Sequence, residues 1–458
     1  MSDLDIKAST ERPTFSGGRM RPVTSTIISI IFAALTASGC ATGGRPYEVT
    51  LMQAPEVYDK GNIDPFVDND PIGREACPEI LYATDRAPAA PDDKLYAYYS
   101  NRRGHVVRLG VADIEFGYDE STTWEEARRV SLLKNRTQDY PLKVASVEEF
   151  GPLARTIRPF DEDIEASEVP GDLFIAEIDR RLARSASKDV YIYVHGYKVD
   201  FENPLLVASE LWHFLGYHGA FIAYSWPTTA KRLAYFSDIE NARASARALR
   251  QLVVYISEKS QADRIHILGY SAGTRLVSRL LADIGLLSYG LSDEEVRRRI
   301  KLGHVILSGS DLDRAIVGGY ILDGALRAPA SVTIYASNTD KALGVSRFVF
   351  SRHRAGQLGD ISDIGPSALG FFRNTDKLRL IDVSNAEGSR NGNGHAYFRA
   401  SPWVSSDILV TLLYDLAPAD RGLVWSDSMP VWTFPDDYTK RMLDALTAYN
   451  PDLFPDTD

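Results

Sequence analysis

The segment Ile265-His266-Ile267-Leu268-Gly269-Tyr270-Ser271-Ala272-Gly273-Thr274 carries a short apolar run into a helix-like stretch through a G-x-S-x-G pentad. A serine in that context sits on a tight strand-to-helix turn in strained backbone geometry, and the flanking glycines make room for close packing. The turn lifts the hydroxyl above the sheet and aims the N-terminus of the following helix at it. Chance composition would produce only about 0.1 such pentads in a chain of this length. The context therefore predicts Ser271 as a nucleophile, against the plainer reading of a loop serine between two turns.

Working outward, helical and apolar segments alternate from Gly171 onward. A helical stretch over Leu173–Ser185 precedes Val190-Tyr191-Ile192-Tyr193-Val194, and one over Leu205–Leu215 precedes Ala220–Ser225. A long helix over about Ile239–Lys259 leads to Ile265–Leu268, and another follows over Ala272–Leu286. Later apolar runs are His304–Leu307, Val332–Tyr335 and Leu378–Val383. Short, fully apolar strands between amphipathic helices predict a mostly parallel central sheet with helices on both faces. Before this core (171–458), Glu79–Gly117 alternates apolar and charged residues, as an antiparallel N-terminal edge would. The polar stretch 118–170 reads as excursions, so 76–170 forms the edge region and 40–75, rich in Gly, Pro, Asp and Asn, a flexible tether.

A serine nucleophile needs a base, an acid and donors for the oxyanion. In this order of elements the acid precedes the histidine. His395, in Asn391-Gly392-Asn393-Gly394-His395 just after the last apolar run, is the expected base; His353, between Arg352 and Arg354, reads as a surface residue. Asp340, after Ser331–Ser337, is the expected acid, which would fix the imidazole tautomer. A plain helix N-cap role for Asp340 stays open, and so does the rival pair Asp311 and Asp313 after the preceding strand. The backbone N–H of Ala272 and that of Tyr197, in the His195-Gly196-Tyr197 turn, are the expected oxyanion donors. Trp226, at the end of another strand, is expected to line a substrate pocket or simply to pack. The loop from Val349 to Arg373 reads as a gate over the site or as a plain surface excursion. H-E-x-x-H, C-x-x-C and Walker A motifs are absent, so no metal and no cofactor is expected.

The chain has 458 residues and a formal net charge of −11, without a basic block, which argues against nucleic acid as a partner. Arg12, Arg19 and Arg21 precede an apolar run from Val23 to about Ala37, too short to span a bilayer and suited to a signal peptide (1–39). It ends at Ala37-Ser38-Gly39-Cys40, which resembles a bacterial lipobox with alanine where leucine is usual. Lipidation of Cys40 after export would tether the protein to a membrane, and Ala41 points to the periplasmic side of the outer membrane. An uncleaved anchor, an ordinary signal peptide ending near Ala41, and a Cys40–Cys77 disulfide are the competing accounts.

Six segments together resemble the bacterial α/β-hydrolases of the DUF900 family. They are Tyr82-Ala83-Thr84-Asp85-Arg86, Tyr193-Val194-His195-Gly196-Tyr197, Ser225-Trp226-Pro227, the Ser271 pentad, Ile334 through Leu343, and Gly394-His395-Ala396-Tyr397-Phe398. The resemblance spans roughly 79–415 and implies an α/β-hydrolase fold with the triad Ser271, Asp340, His395. One departure is Tyr270, where the family more often has histidine. The expectation is a serine hydrolase acting on a small-molecule or lipid ester. A catalytically silent envelope lipoprotein and an amidase or acyltransferase are the alternatives.

Overall fold

The computed structural model describes residues 48–66, 79–117, 122–161, 164–228, 235–340, 343, 355, 370–371, 373–426 and 430–454. The signal segment, Cys40, Cys77, His353 and most of the 349–373 loop lie outside these residues. The unit that holds the described residues is Ala41–Asp458.

Its frame is one twelve-stranded sheet. In chain order the strands are β1 (Glu48–Thr50), β2 (Ile80–Pro88), β3 (Tyr99–Phe116), β4 (Pro141–Pro152), β5 (Asp189–Val194) and β6 (Ala220–Ser225). They continue with β7 (Arg264–Tyr270), β8 (Leu302–Ser308), β9 (Ser331–Ala336), β10 (Leu378–Asp382), β11 (Val424–Ser426) and β12 (Val431–Thr433). The spatial order is β1-β4-β3-β2-β6-β5-β7-β8-β9-β10-β12-β11. From β2 to β12 every neighbour pairs parallel, whereas β1, β4 and β3 form the antiparallel N-terminal edge and β11 closes the other edge antiparallel.

Period-two alternation sends successive side chains to opposite faces. In β5, Tyr191 and Tyr193 join one core and Val190, Ile192 and Val194 the other. The first core packs under α3 (Glu202–Phe214), α8 (Pro402–Tyr414) and α9 (Tyr438–Tyr449). The second lies under α2 (Val169–Arg184), α4 (Tyr235–Lys259), α5 (Gly273–Leu287) and α6 (Asp293–Ile300). Two faces buried at once explain why the central strands carry unbroken apolar runs. Two further helices, α1 (Trp124–Ser131) and α7 (Arg314–Leu322), sit in the connections.

Two expectations are corrected here. Residues 48–66 are not a tether: β1 pairs with β4, and Leu51, Val57, Tyr58 and Phe66 are buried in the first core. The stretch 118–170 is not only excursion, because it contributes β4, whose exposed and half-buried residues hid a strand behind polar composition. Among the described residues no helix is long and apolar enough to cross a membrane.

One buried ion pair ties the first core to the carboxyl edge of the sheet. Arg421 and Asp407 are both fully buried, with Arg421 Nε donating to Asp407 Oδ1 at 2.7 Å. The Tyr335 hydroxyl donates to Asp407 Oδ2 at 2.6 Å, and the Tyr397 hydroxyl donates to the Tyr335 carbonyl at 2.7 Å. Removing one partner of such a pair leaves an uncompensated buried charge. Asp407→Ala is therefore expected to cost about 3–5 kcal/mol, read as a lower urea midpoint with an unchanged m value. A loss below about 1 kcal/mol, the range of a solvated pair, would contradict this account of the pair.

Candidate active site

The carboxyl ends of parallel strands are where an open α/β sheet presents its loops for chemistry. Ser271 follows β7, Asp340 follows β9 and His395 follows β10 by a glycine-rich turn. The structure brings all three together. His395 Nε2 lies 2.8 Å from Ser271 Oγ, and His395 Nδ1 lies 2.7 Å from Asp340 Oδ2. Serine and histidine keep 8% and 7% of their surface exposed, whereas the aspartate keeps 2%. The aspartate is the most shielded of the three.

Backbone geometry shapes the turn that carries Ser271. Ser271 has φ of 50°, in the left-handed region that an L-residue leaves unless its surroundings hold it. Its N–H donates to the Ser308 carbonyl at 2.9 Å, which ties the turn to β8. Its own carbonyl accepts from the Thr274 N–H at 3.1 Å and the Thr274 hydroxyl at 2.6 Å. Gly273 is obligatory: a methyl group there would come within 2.4 Å of the Val194 and His195 carbonyl oxygens. A methyl at Gly196 would stand 3.0 Å from Ser271 Cβ, so the His195–Tyr197 turn passes directly beside that serine. Ala272 is the N-cap of α5, and its N–H belongs to the helix end that faces this turn.

The histidine loop is built by the same means. Gly392 and Gly394 take φ of 61° and 67°, and the Asn393 side chain accepts the His395 N–H at 3.1 Å. A methyl at Gly394 would press on the Thr339 carbonyl at 3.0 Å, and one at Gly309 would press on the His395 ring at the same distance. The Gly309 N–H donates to the Tyr397 hydroxyl at 2.6 Å, which connects this wall to the buried Asp407 cluster. Asp340 is placed where both readings of it would put it. Its Oδ1 accepts the Leu343 N–H at 3.0 Å in N-cap fashion while Oδ2 faces the imidazole. The rivals are engaged elsewhere: Asp311 accepts from Arg275 at 2.9 Å, and Asp313 caps α7 through the Ala315 N–H at 2.8 Å.

Trp226 is placed otherwise than as a pocket wall. Its side chain is fully buried, and its indole N–H donates to the His195 carbonyl at 2.8 Å. The His195 ring stacks on it at 5.4 Å, accepts the Trp226 backbone N–H at Nε2 and turns Nδ1 to the Gly196 carbonyl at 2.6 Å. Burial pushes the His195 pKa well below the ordinary value, so the imidazole is neutral, as this donor–acceptor pattern requires. The pair latches the β5 turn to the end of β6, and with its polar atoms so committed Trp226 is a strut.

A second strut was not assigned a role from the sequence. Arg86, fully buried, donates through Nε to Ser225 Oγ at 2.9 Å, through one terminal nitrogen to the Val199 carbonyl at 2.9 Å, and through the other to Asn101. Burial lowers its pKa to about 10, so it stays charged at neutral pH. It clamps the segment just after Tyr197 to the end of β6. The signal was present in the Thr84-Asp85-Arg86 run, because two adjacent charges inside an apolar strand must find partners. Among the described residues no group of three His, Cys, Asp or Glu side chains could hold a metal ion.

Eight mutually parallel strands, helices on both faces, and a strained serine turn at the carboxyl edge define an α/β hydrolase. Residues 173–413 match the family of α/β hydrolases of unknown function designated DUF900, and the chain belongs to that family. An uncharacterized protein of Nostoc sp., alr1448, is 29% identical over 147 residues, covering 26% of this chain. The match spans 38% of that relative's length. A solved nucleoside-diphosphate sugar epimerase from Corynebacterium glutamicum aligns at 13% identity and a TM-score of 0.18, over 82% of this chain and 83% of that one. A likeness that slight carries no argument.

Asp85, beside Arg86, gives the site region a pH signature. Burial pushes its carboxyl up to about 6, opposed by hydrogen bonds from the Ser245 hydroxyl at 2.5 Å and the Tyr224 hydroxyl at 3.2 Å. The folded state therefore holds this proton more tightly than the unfolded chain. Its contribution to stability is full below about pH 4 and is lost as pH rises through about 6. Asp85→Asn, which cannot ionise, is expected to flatten the profile of Tm against pH between those limits. A variant profile as steep as that of the native protein would contradict the assignment.

Proposed function

We propose that the protein is a serine hydrolase that cleaves an ester-type bond through an acyl-enzyme. The observation that carries this reading is the continuous chain Ser271 Oγ, His395 Nε2, His395 Nδ1, Asp340 Oδ2, with links of 2.8 and 2.7 Å, at a strained strand-to-helix turn. Ser271 Oγ attacks the carbonyl carbon while its proton passes to His395 Nε2. Asp340 accepts the Nδ1–H and stabilises the imidazolium. The backbone N–H groups of Tyr197 and Ala272 receive the oxyanion. The tetrahedral intermediate then expels the alcohol, which takes the proton from His395. Water, deprotonated by the same nitrogen, releases the acid and restores the hydroxyl. The expected substrate is a small-molecule or lipid ester.

Labelling by a fluorophosphonate probe tests the reading. The folded full-length chain is expected to label at the serine, and Ser271→Ala to abolish labelling. His395→Ala should slow it by about 10⁶-fold and Asp340→Asn by about 10⁴-fold. A folded native chain that does not label would shift the reading to a silent scaffold lipoprotein.

The same proposal extends to location: Cys40 is acylated after export and holds the enzyme on the periplasmic side of the outer membrane. Incorporation of a palmitate analogue in a Gram-negative host, lost in Cys40→Ala, is the expected result. Native protein without the label would contradict it.

A further inference from the structure

The turn beside Ser271 carries a buried imidazole that makes more hydrogen bonds than a latch needs. The Trp226 indole on the His195 carbonyl at 2.8 Å, with the two rings stacked, already holds this turn against the end of β6. The His195 ring adds a further bond. Its Nδ1 lies 2.6 Å from the Gly196 carbonyl, and that carbonyl shares a peptide unit with the Tyr197 N–H.

Chemistry fixes the direction of that bond. The Trp226 backbone N–H, 3.0 Å from His195 Nε2, can only donate, so Nε2 must offer its lone pair. A neutral imidazole has one ring proton, which then sits on Nδ1, and the Gly196 carbonyl can only accept it. A second proton would set two donors against each other at Nε2. Burial first, and then the Arg86 charge, disfavour that form. The side chain is fully buried, so bulk water does not compete for either nitrogen.

The peptide so held is one that its own residues leave loose. Gly196 lacks the Cβ that would crowd Ser271 Cβ at 3.0 Å and the Tyr270 ring at 3.2 Å. Glycine permits that approach, but it also leaves the backbone free to rotate. Downstream, Val199 is pinned at both polar groups. Its N–H donates to the Thr228 hydroxyl at 3.3 Å, and its carbonyl accepts from that hydroxyl at 2.8 Å and from Arg86 at 2.9 Å. Those bonds anchor the far end of the loop, across Lys198 with its φ of 70°. The imidazole acts on the Gly196–Tyr197 peptide plane itself. This peptide is trans, so its carbonyl and its N–H point to opposite sides.

We propose that His195 is the positioning residue of the oxyanion hole. By drawing the Gly196 carbonyl onto Nδ1–H, it turns the Tyr197 N–H toward the oxygen of an ester bound at Ser271. It also keeps the Gly196 carbonyl, which would repel an oxyanion, out of that place. Without the imidazole the peptide turns over at glycine and sets an acceptor where a donor is needed. The proposal rests on the serine-hydrolase reading, and one arm of its test needs no turnover.

In that arm, the native full-length chain with ¹⁵N-labelled histidine is followed in uncharged detergent from pH 5 to 8 by long-range ¹H–¹⁵N NMR. The His195 signals, identified by their loss in His195→Asn, are expected to show a neutral ring with the proton on Nδ1 throughout. A proton on Nε2, or a ring that titrates in this range, would overturn the proposal. In the second arm p-nitrophenyl butyrate hydrolysis is compared in native enzyme, His195→Phe and His195→Asn. Phenylalanine keeps a ring against Trp226 but has no donor, whereas the asparagine amide nitrogen falls near the place of Nδ1. His195→Phe is expected to lose about 10²–10³-fold in kcat, as when one oxyanion donor is removed, with KM unchanged. His195→Asn should recover most of that loss. Full activity in His195→Phe, a loss confined to KM, or no recovery in His195→Asn would overturn the proposal. Where His195→Phe does not fold, the kcat of His195→Asn and the native tautomer decide. A wrong tautomer overturns this proposal alone, whereas native enzyme that cleaves no ester overturns the reading beneath it.

Discussion

Ser271 is held in a backbone conformation that it would not adopt alone, and the rest of the site is arranged around that hold. Its N–H is fixed to β8 and its carbonyl to Thr274, so the hydroxyl stands above the sheet instead of relaxing into it. The cost of a left-handed non-glycine residue is of order 1–3 kcal/mol. A large parallel sheet buried on both faces supplies the rigidity that sustains it. Neighbouring loops then crowd in: Gly273 leaves no room for a side chain, and a methyl at Gly196, Gly309 or Gly394 would press at 3.0 Å on the serine turn, the His395 ring or the Thr339 carbonyl.

Buried polar groups transmit the order of the core to that edge. The Asp407–Arg421 pair fixes Tyr335, Tyr335 fixes Tyr397, and Tyr397 fixes the Gly309 loop behind His395. On the other side Arg86 and the His195–Trp226 latch fix the turn beside Ser271. Each of these groups is satisfied inside the protein, which in a low-dielectric interior favours one arrangement over its neighbours. The fold thus positions Ser271 through polar struts as much as through apolar packing.

Much of this was legible in the residues. Doubly covered strands such as Val190–Val194 announce themselves by unbroken apolar runs, and the serine turn by its glycines. Ser271, Asp340 and His395, chosen from order along the chain, lie in one hydrogen-bonded series. What escaped has physical causes. β4 lies toward the sheet edge, and beyond Leu142 its residues are exposed or half-buried, so its composition imitates a loop. β11 and β12 are three residues each, too short for a pattern. Residues 48–66 are anchored by isolated contacts without period, and the depth of Trp226 depends on a hydrogen bond to a residue 31 positions away.

The central claim is that a covalent bond forms at Ser271. Its most direct measurement is rapid mixing of the full-length enzyme with p-nitrophenyl butyrate, acid quenching during the first turnover, and peptide mass spectrometry. The account predicts one butyryl group per chain, on the peptide that contains Ser271 and on that residue. Acylation of another residue, or ester cleavage with no acyl group at Ser271 during turnover, would contradict it.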